Sequence, residues 1–309
     1  MTRITSGETN AFLAALLEDK DGARAEIVSG RVDIQQLSIP DIHSCGSTRY
    51  SQIKADSQLR EGKLVNLSEY GFGAAPDYYH NDARFNPVYR HRFQGATSCV
   101  MLLDKLAEQL AEANDALRRN YGLEFDPMNG FRPLVVQKAI FEDFYNAGIR
   151  KFEGSLSGAE LHERAMQHAL TYASRPPEKV TLADSATWYA HGTGAAIDLL
   201  LRVAGGGGRL EFGVIFDDPD SKTHVRSMEE VGSSSSASER AFQANRRTLF
   251  WSLASAGFVN YPEEFFHFDP FNVVGHTTQF AILNAGIWGI SGAAGLRATV
   301  PPAKEALTE

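Results

Sequence analysis

Cysteine is nearly absent: Cys45 and Cys99 are the only two in 309 residues. Two thiols cannot build the disulfide framework of a small secreted domain, and these lack the paired spacing of a metal site. Both are read as ordinary thiols. Long apolar runs are missing too, since no stretch approaches the ~18 residues that a membrane helix needs. A secretory signal is not expected, because Glu8, Glu18 and Asp19 interrupt the place where its apolar core would stand. Positive charge is in deficit, with 30 Lys and Arg against 38 Asp and Glu, a net charge of −8. Nucleic acids and anionic membranes are recognised by clustered Lys and Arg, and no such cluster appears, so neither is an expected partner. These absences imply a cytoplasmic protein and leave its oligomeric state open.

What is present suffices for a folded core: hydrophobic residues make up 43% of the chain and charged residues 22%. A short helix is expected within residues 8–28. The stretch from Tyr70 to Tyr89 is rich in Gly, Pro, Asn and aromatics and reads as ordered loop, with Tyr78, Tyr79, Phe85 and Tyr89 in packing roles. From Ser98 the period becomes helical, with Val100, Leu103, Leu106, Leu110 and Leu117 on one face and Gly122 ending the run. A strand is expected from Gly122 to Phe125. Further helices are predicted from Pro133 to Asn146, where proline costs nothing in the first turn, and from Ala159 to Ser174.

Later the period changes. Ala195 to Leu201 reads as a buried strand, the Gly205–Gly208 run as a turn, and Leu210 to Ile215 as the returning partner. The glycine run is not a phosphate loop, since no Lys-Ser/Thr follows it. Ser233 to Ser236 form a polar loop before a helix from Glu239 to Ala256, and Glu264 to Phe268 is a last strand. Helices first and strands later point to an α+β fold, helices packed around a small, mainly antiparallel sheet.

Two segments carry chemistry. In His191-Gly192-Thr193-Gly194-Ala195-Ala196-Ile197-Asp198, a histidine before a glycine turn and an aspartate in the strand beyond can converge on one point. Asp198, flanked by Ala-Ile and Leu-Leu-Leu, is costly to bury without a cation or strong hydrogen bonds. Backbone amides could supply those bonds instead, with His191 incidental. In Glu264-Phe265-Phe266-His267, an acid precedes a histidine by three residues. A regular strand would send the two to opposite faces, so Glu264 must sit at a bend, which Pro262 makes feasible. Taken singly, this segment reads better as an ordinary strand with a solvated Glu264. Jointly, two histidines and a carboxylate offer three ligands with a fourth position open, the arrangement of catalytic zinc. Zinc lowers the pKa of water from about 16 to about 7, and a carboxylate such as Glu264 can then move the proton.

The joint pattern resembles the zinc D-alanyl-D-alanine dipeptidases of the VanX type, within the D-Ala-D-Ala metallopeptidases. That family's signature is Ser-x-His-x-x-Gly-x-Ala-x-Asp, then Glu-x-x-His downstream. The matching residues are His191, Gly194, Ala196 and Asp198, then Glu264 and His267, supported by Asn245-Arg246-Arg247 and Gly257 to Pro262. The resemblance runs over roughly residues 97–270. It implies zinc held by His191, Asp198 and His267, Glu264 as base, and hydrolysis of a small D,D-dipeptide such as D-Ala-D-Ala. Phe131-Arg132-Pro133 resembles the family's Tyr-Arg-Pro, which makes Arg132 the oxyanion-stabilising arginine. Phe216-Asp217 resembles its Phe-Asp, which gives Asp217 the substrate's amino group, with Asp218 and Asp220 competing for the same alignment. The implied organisation is an N-terminal extension over residues 1–90 packed on or continuous with a catalytic domain over 91–275, then a tail over 276–309.

Two departures bear on the substrate pocket. Tyr189 stands where the family has Ser, and Phe265-Phe266 where it has Trp-Trp, so Tyr189 and Phe265 are expected to line the pocket. A peptidase or amidase acting on another small peptide is therefore an alternative. A non-haem iron(II) oxygenase shares the ligand types, but sets its first His and carboxylate much closer together than the seven positions here. A non-catalytic binding protein of the same fold is the remaining alternative.

Overall fold

The computed structural model describes residues 6–17, 22–40, 63–73, 76–82, 84–178, 189–232 and 235–270. Cys45, Ser233, Ser234 and the expected tail over 276–309 lie outside them.

Helices α1 (Ser6–Leu17) and α2 (Ala23–Val28) come first, then β1 (Leu64–Asn66), β2 (Met101–Leu103) and α3 (Asp104–Tyr121). Strand β3 (Leu123–Asn129) leads to α4 (Leu134–Phe152) and α5 (Gly158–Tyr172). Strand β4 (Ile197–Val203), α6 (Ala237–Ser255), β5 (Phe258–Tyr261) and β6 (Glu264–Pro270) complete the order. Strands β1 and β2 pair with each other; the other four form an antiparallel sheet in the order β3-β4-β6-β5. The fold is α+β with small antiparallel sheets, as the sequence implied. No helix among the described residues is long and apolar enough to cross a membrane.

Sequence dictates most of these elements. Leu106, Leu110, Ala113 and Leu117 line one buried stripe of α3, and Gly122 ends it at φ +65, a left-handed turn that glycine adopts without strain. The buried Asn114 on that stripe accepts the Phe125 N–H at 2.8 Å and so docks α3 onto β3. Ser236 and Glu239 close a reciprocal capping box at the start of α6. Strand β4 is buried from Ile197 to Leu201, which explains its unbroken apolar run. The N-terminal residues share this core: Leu13, Ile34 and Leu64 cluster with Leu103 and Trp251, and the Trp251 indole donates to the Leu37 carbonyl at 3.1 Å.

Three expectations are corrected. The expected helix from Ser98 begins only at Asp104, because Met101–Leu103 pair with β1 instead. The helix expected over 8–28 divides into α1 and α2. Leu210 to Ile215 do not return as a strand: the pairing stops at the Arg202–Arg209 bridge, and the chain departs with Phe212 buried and Ile215 exposed. Phe212 leaves to stack on Phe265, with ring centroids 5.0 Å apart.

Candidate metal and substrate site

The site lies where β3, β4 and β6 run side by side. Asn129, Asp198 and His267 form a row across the sheet: Asn129 is the register partner of Asp198, and Asp198 of His267. His191 enters from a short 3-10 turn, Ala190–Thr193, that Gly194 terminates at φ +70. A Cβ on Gly194 would also lie 2.5 Å from a Leu64 methyl, which would have to move, and the positive φ strains any side chain there. The turn is anchored from both sides, because the Leu103 N–H donates to the Gly194 carbonyl and the Arg132 N–H to the His191 carbonyl.

His191, Asp198 and His267 are all buried, and their candidate ligand atoms lie within 4.8 Å of one another. Asp198 Oδ1 is 3.0 Å from His267 Nδ1 and 3.3 Å from His191 Nε2, and the two ring nitrogens are 3.0 Å apart. The other nitrogen of His191, Nδ1, sits 2.8 Å from the Gly130 carbonyl. Gly130 itself must lack a side chain because its backbone lies against β2, where a Cβ would be 2.0 Å from the Met101 carbonyl oxygen. Burial works against a charge on Asp198, but His191 and His267 outweigh it and hold its carboxyl well below the usual range. Burial lowers His191. At His267 burial is outweighed by Asp269 and Asp198, which hold that imidazole well above its ordinary value.

Glu264 opens β6, and its carboxylate stands 3.9 Å from His267 Nδ1. A shift of register between Asn260 and Tyr261 supplies the bend that an i, i+3 pair requires. The buried Asn260 amide holds that bend by donating to the carbonyls of Glu264, Phe265 and His267. The Glu264 side chain is 35% exposed, so a small molecule can reach it. Its carboxyl sits among protein atoms nonetheless, and that burial pushes it up to about 7, with His267 pulling the other way.

Arg132 reaches the same place from the turn between β3 and α4. Asn129 Oδ1 accepts from its Nε at 3.0 Å and its Nη2 at 2.8 Å, and Gln137 Oε1 accepts from its Nη1 at 2.9 Å. Nη2 also stands 3.5 Å from Asp198 Oδ2. Asn129 is fixed in turn by Asp77, whose Oδ2 accepts from its Nδ2 at 2.6 Å. The Tyr79 hydroxyl accepts from Arg132 Nη2 at 3.1 Å and donates to Asp217 Oδ2 at 3.0 Å. Asp217 therefore joins the cluster, at φ +63 on its loop, with Tyr89 as a second hydroxyl donor. Burial pushes its carboxyl up to about 7, with Arg132 opposing.

The two departures from the family pattern are packed rather than open. The Tyr189 hydroxyl donates to the Arg132 carbonyl at 2.7 Å, and its ring lies against Gly192. Phe265 is buried, with the Arg246 guanidinium 4.3 Å above its ring. Asp77, Tyr79, Tyr89, Asn129, Gln137 and Asp269 did not stand out as site residues in the sequence. Asn129, three positions before Arg132, and Asp269, two positions after His267, are local to residues the sequence did single out; Asp77 and Tyr79 reach the site only through folding.

Residues 160–281 match a family model described as D-ala-D-ala dipeptidase. The matched segment contains His191, Asp198, Glu264 and His267, but it spans less than half of the chain and begins beyond Arg132. Among solved structures, a mutant of the vancomycin-resistance D,D-pentapeptidase VanY from a VanB-type cassette, in complex with Zn(II), is 15% identical at a TM-score of 0.31. That likeness covers 61% of this chain and 81% of the VanY chain, and at this score it implies nothing further. No curated protein matches the chain.

Proposed function

We propose that this chain is a zinc peptidase acting on small peptides that contain D-Ala, with D-Ala-D-Ala the first candidate. The observation that carries the proposal is the convergence of His191, Asp198 and His267 within 4.8 Å, with Glu264 beside them and the Arg132 guanidinium 3.5 Å from Asp198. Two imidazoles and a carboxylate suit zinc, and three protein ligands are the complement of a catalytic rather than a structural site. The family match over residues 160–281 favours the same reading and supplies the D-Ala preference.

Zinc held by these three residues would polarise a scissile carbonyl and acidify water. Glu264, at the solvent-reachable end of β6, takes a proton from the attacking water and passes it to the leaving amine. Burial raises that carboxyl above its ordinary value, the direction that favours this exchange. Arg132 presents a charged guanidinium where the oxyanion develops. Its rigidity comes from Asn129 and Gln137, so little reorganisation accompanies the reaction. Asp217, held by the Tyr79 and Tyr89 hydroxyls, is the carboxylate available for a substrate's free amino group. Tyr189 acts through its grip on the Arg132 backbone, and Phe265 through packing against the wall of the site.

A panel of D-Ala-D-Ala, L-Ala-L-Ala and mixed-chirality dipeptides, given to the zinc-loaded protein and to the chelated protein, tests this reading. Zinc-dependent cleavage that favours a D,D-dipeptide is the expected result. Absence of cleavage across the panel under zinc saturation would contradict it.

A further inference from the structure

An imidazole that binds a metal gives it one ring nitrogen, and the other must carry a proton and find an acceptor. The identity of that outer acceptor decides the tautomer and the orientation of the ring. The two histidines of this site solve the problem differently. His191 turns Nε2 inward and sets Nδ1 2.8 Å from the Gly130 carbonyl, a backbone acceptor. His267 is reversed: its Nδ1 faces Asp198 Oδ1 at 3.0 Å and His191 Nε2 at 3.0 Å, while Nε2 points away from the cluster.

What stands behind Nε2 is a carboxylate. Asp269 Oδ2 lies 3.4 Å from it, with the Asp269 side chain 19% exposed. The placement follows from the strand, since residues two apart on β6 project to the same face. Pairing of Asp269 with Val259 and of His267 with Asp198 holds both positions in register.

We propose that Asp269 is a positioning residue for the metal site: its carboxylate accepts from the Nε2–H of His267 and holds the ring with Nδ1 toward the metal. The proposal rests on His267 being a zinc ligand. It assigns the ligating atoms as Nε2 of His191 and Nδ1 of His267, each opposite an outer acceptor. The acceptor of His191 is main chain and cannot be removed by substitution. That of His267 can.

The test is zinc affinity, measured by competition with a chromophoric chelator, for wild type, Asp269→Ala, Asp269→Asn and His267→Ala. Thermal melts of the zinc-free proteins check folding. Losing an outer-shell partner typically costs about 10–100-fold in metal affinity, which is the weakening expected for Asp269→Ala. Asp269→Asn keeps an acceptor oxygen at the same distance along the side chain, so it should recover most of the loss. Wild-type affinity in Asp269→Ala overturns the role of Asp269 while leaving the ligand set standing. Equal weakening in Asp269→Asn and Asp269→Ala also overturns it, because charge alone would then be responsible. Absence of zinc binding by the wild type, or unchanged binding by His267→Ala, overturns the ligand set itself.

Discussion

Asp198 and His267 are register partners across β4 and β6, and their side chains meet with Oδ1 3.0 Å from Nδ1. Two of the three candidate ligands are thus set by ladder pairing, the most rigid positioning a small sheet can give. His191 joins them from a turn whose backbone is bonded to β2 on one side and to Arg132 on the other. Glu264 and Arg132 stand beside these three candidate ligands, and the separate roles proposed for them yield separable outcomes.

Glu264→Gln should fold and bind zinc like the wild type while hydrolysing a dipeptide at least ~10²-fold more slowly, the usual scale for a missing general base. Zinc content and turnover measured on one preparation decide it. Loss of zinc would make Glu264 a ligand, and normal turnover would remove it from the mechanism.

Arg132→Ala should lower kcat by ~10²–10³ with zinc retained, the typical loss for one oxyanion donor. Arg132→Lys should rescue little, because an ammonium cannot satisfy Asn129 and Gln137 in a fork. A change confined to KM would instead assign Arg132 to ground-state binding.

Substrate size is tested by N-acetylated dipeptides and tripeptides. Blocking the amine would leave the half-buried Asp217 carboxylate without that partner, a penalty of roughly 1–3 kcal/mol. Cleavage at least ~10²-fold less efficient than that of free dipeptides is expected. Comparable rates would indicate a carboxypeptidase or amidase on the same site.

Asp217 also predicts a pH effect on stability. Its folded-state pKa near 7 lies above the ordinary carboxyl value, so the fold favours its neutral form. The associated stability is fully present below about pH 4 and is lost as pH rises through 7. Asn tolerates the positive φ at this position as well as Asp does. Asp217→Asn, melted without zinc, should therefore exceed the wild type in Tm at pH 8, with the gap closing toward pH 4. A gap that widens at low pH would contradict the raised carboxyl.

The cluster of His191, Asp198 and His267 could be anticipated because Asp198 is an anomaly within an apolar strand, and the helices because their periodic runs are long. Short apolar stretches were not: Met101–Leu103 fits a helix or a strand by pattern, and only pairing with Leu64–Asn66 decides it. Leu210, Phe212 and Val214 alternate as a strand would, yet Phe212 is drawn off to Phe265. Tyr79 looked like a packing aromatic. Its hydroxyl bridges Arg132 and Asp217, the latter 138 positions away, and no local pattern encodes such a contact.

Zinc stoichiometry is the most direct measurement, taken by elemental analysis of dialysed wild type and His191→Ala. The account predicts about one zinc per chain in the wild type and close to none in the variant, as three-ligand sites require all three donors. Full occupancy in His191→Ala, or none in the wild type, would contradict it.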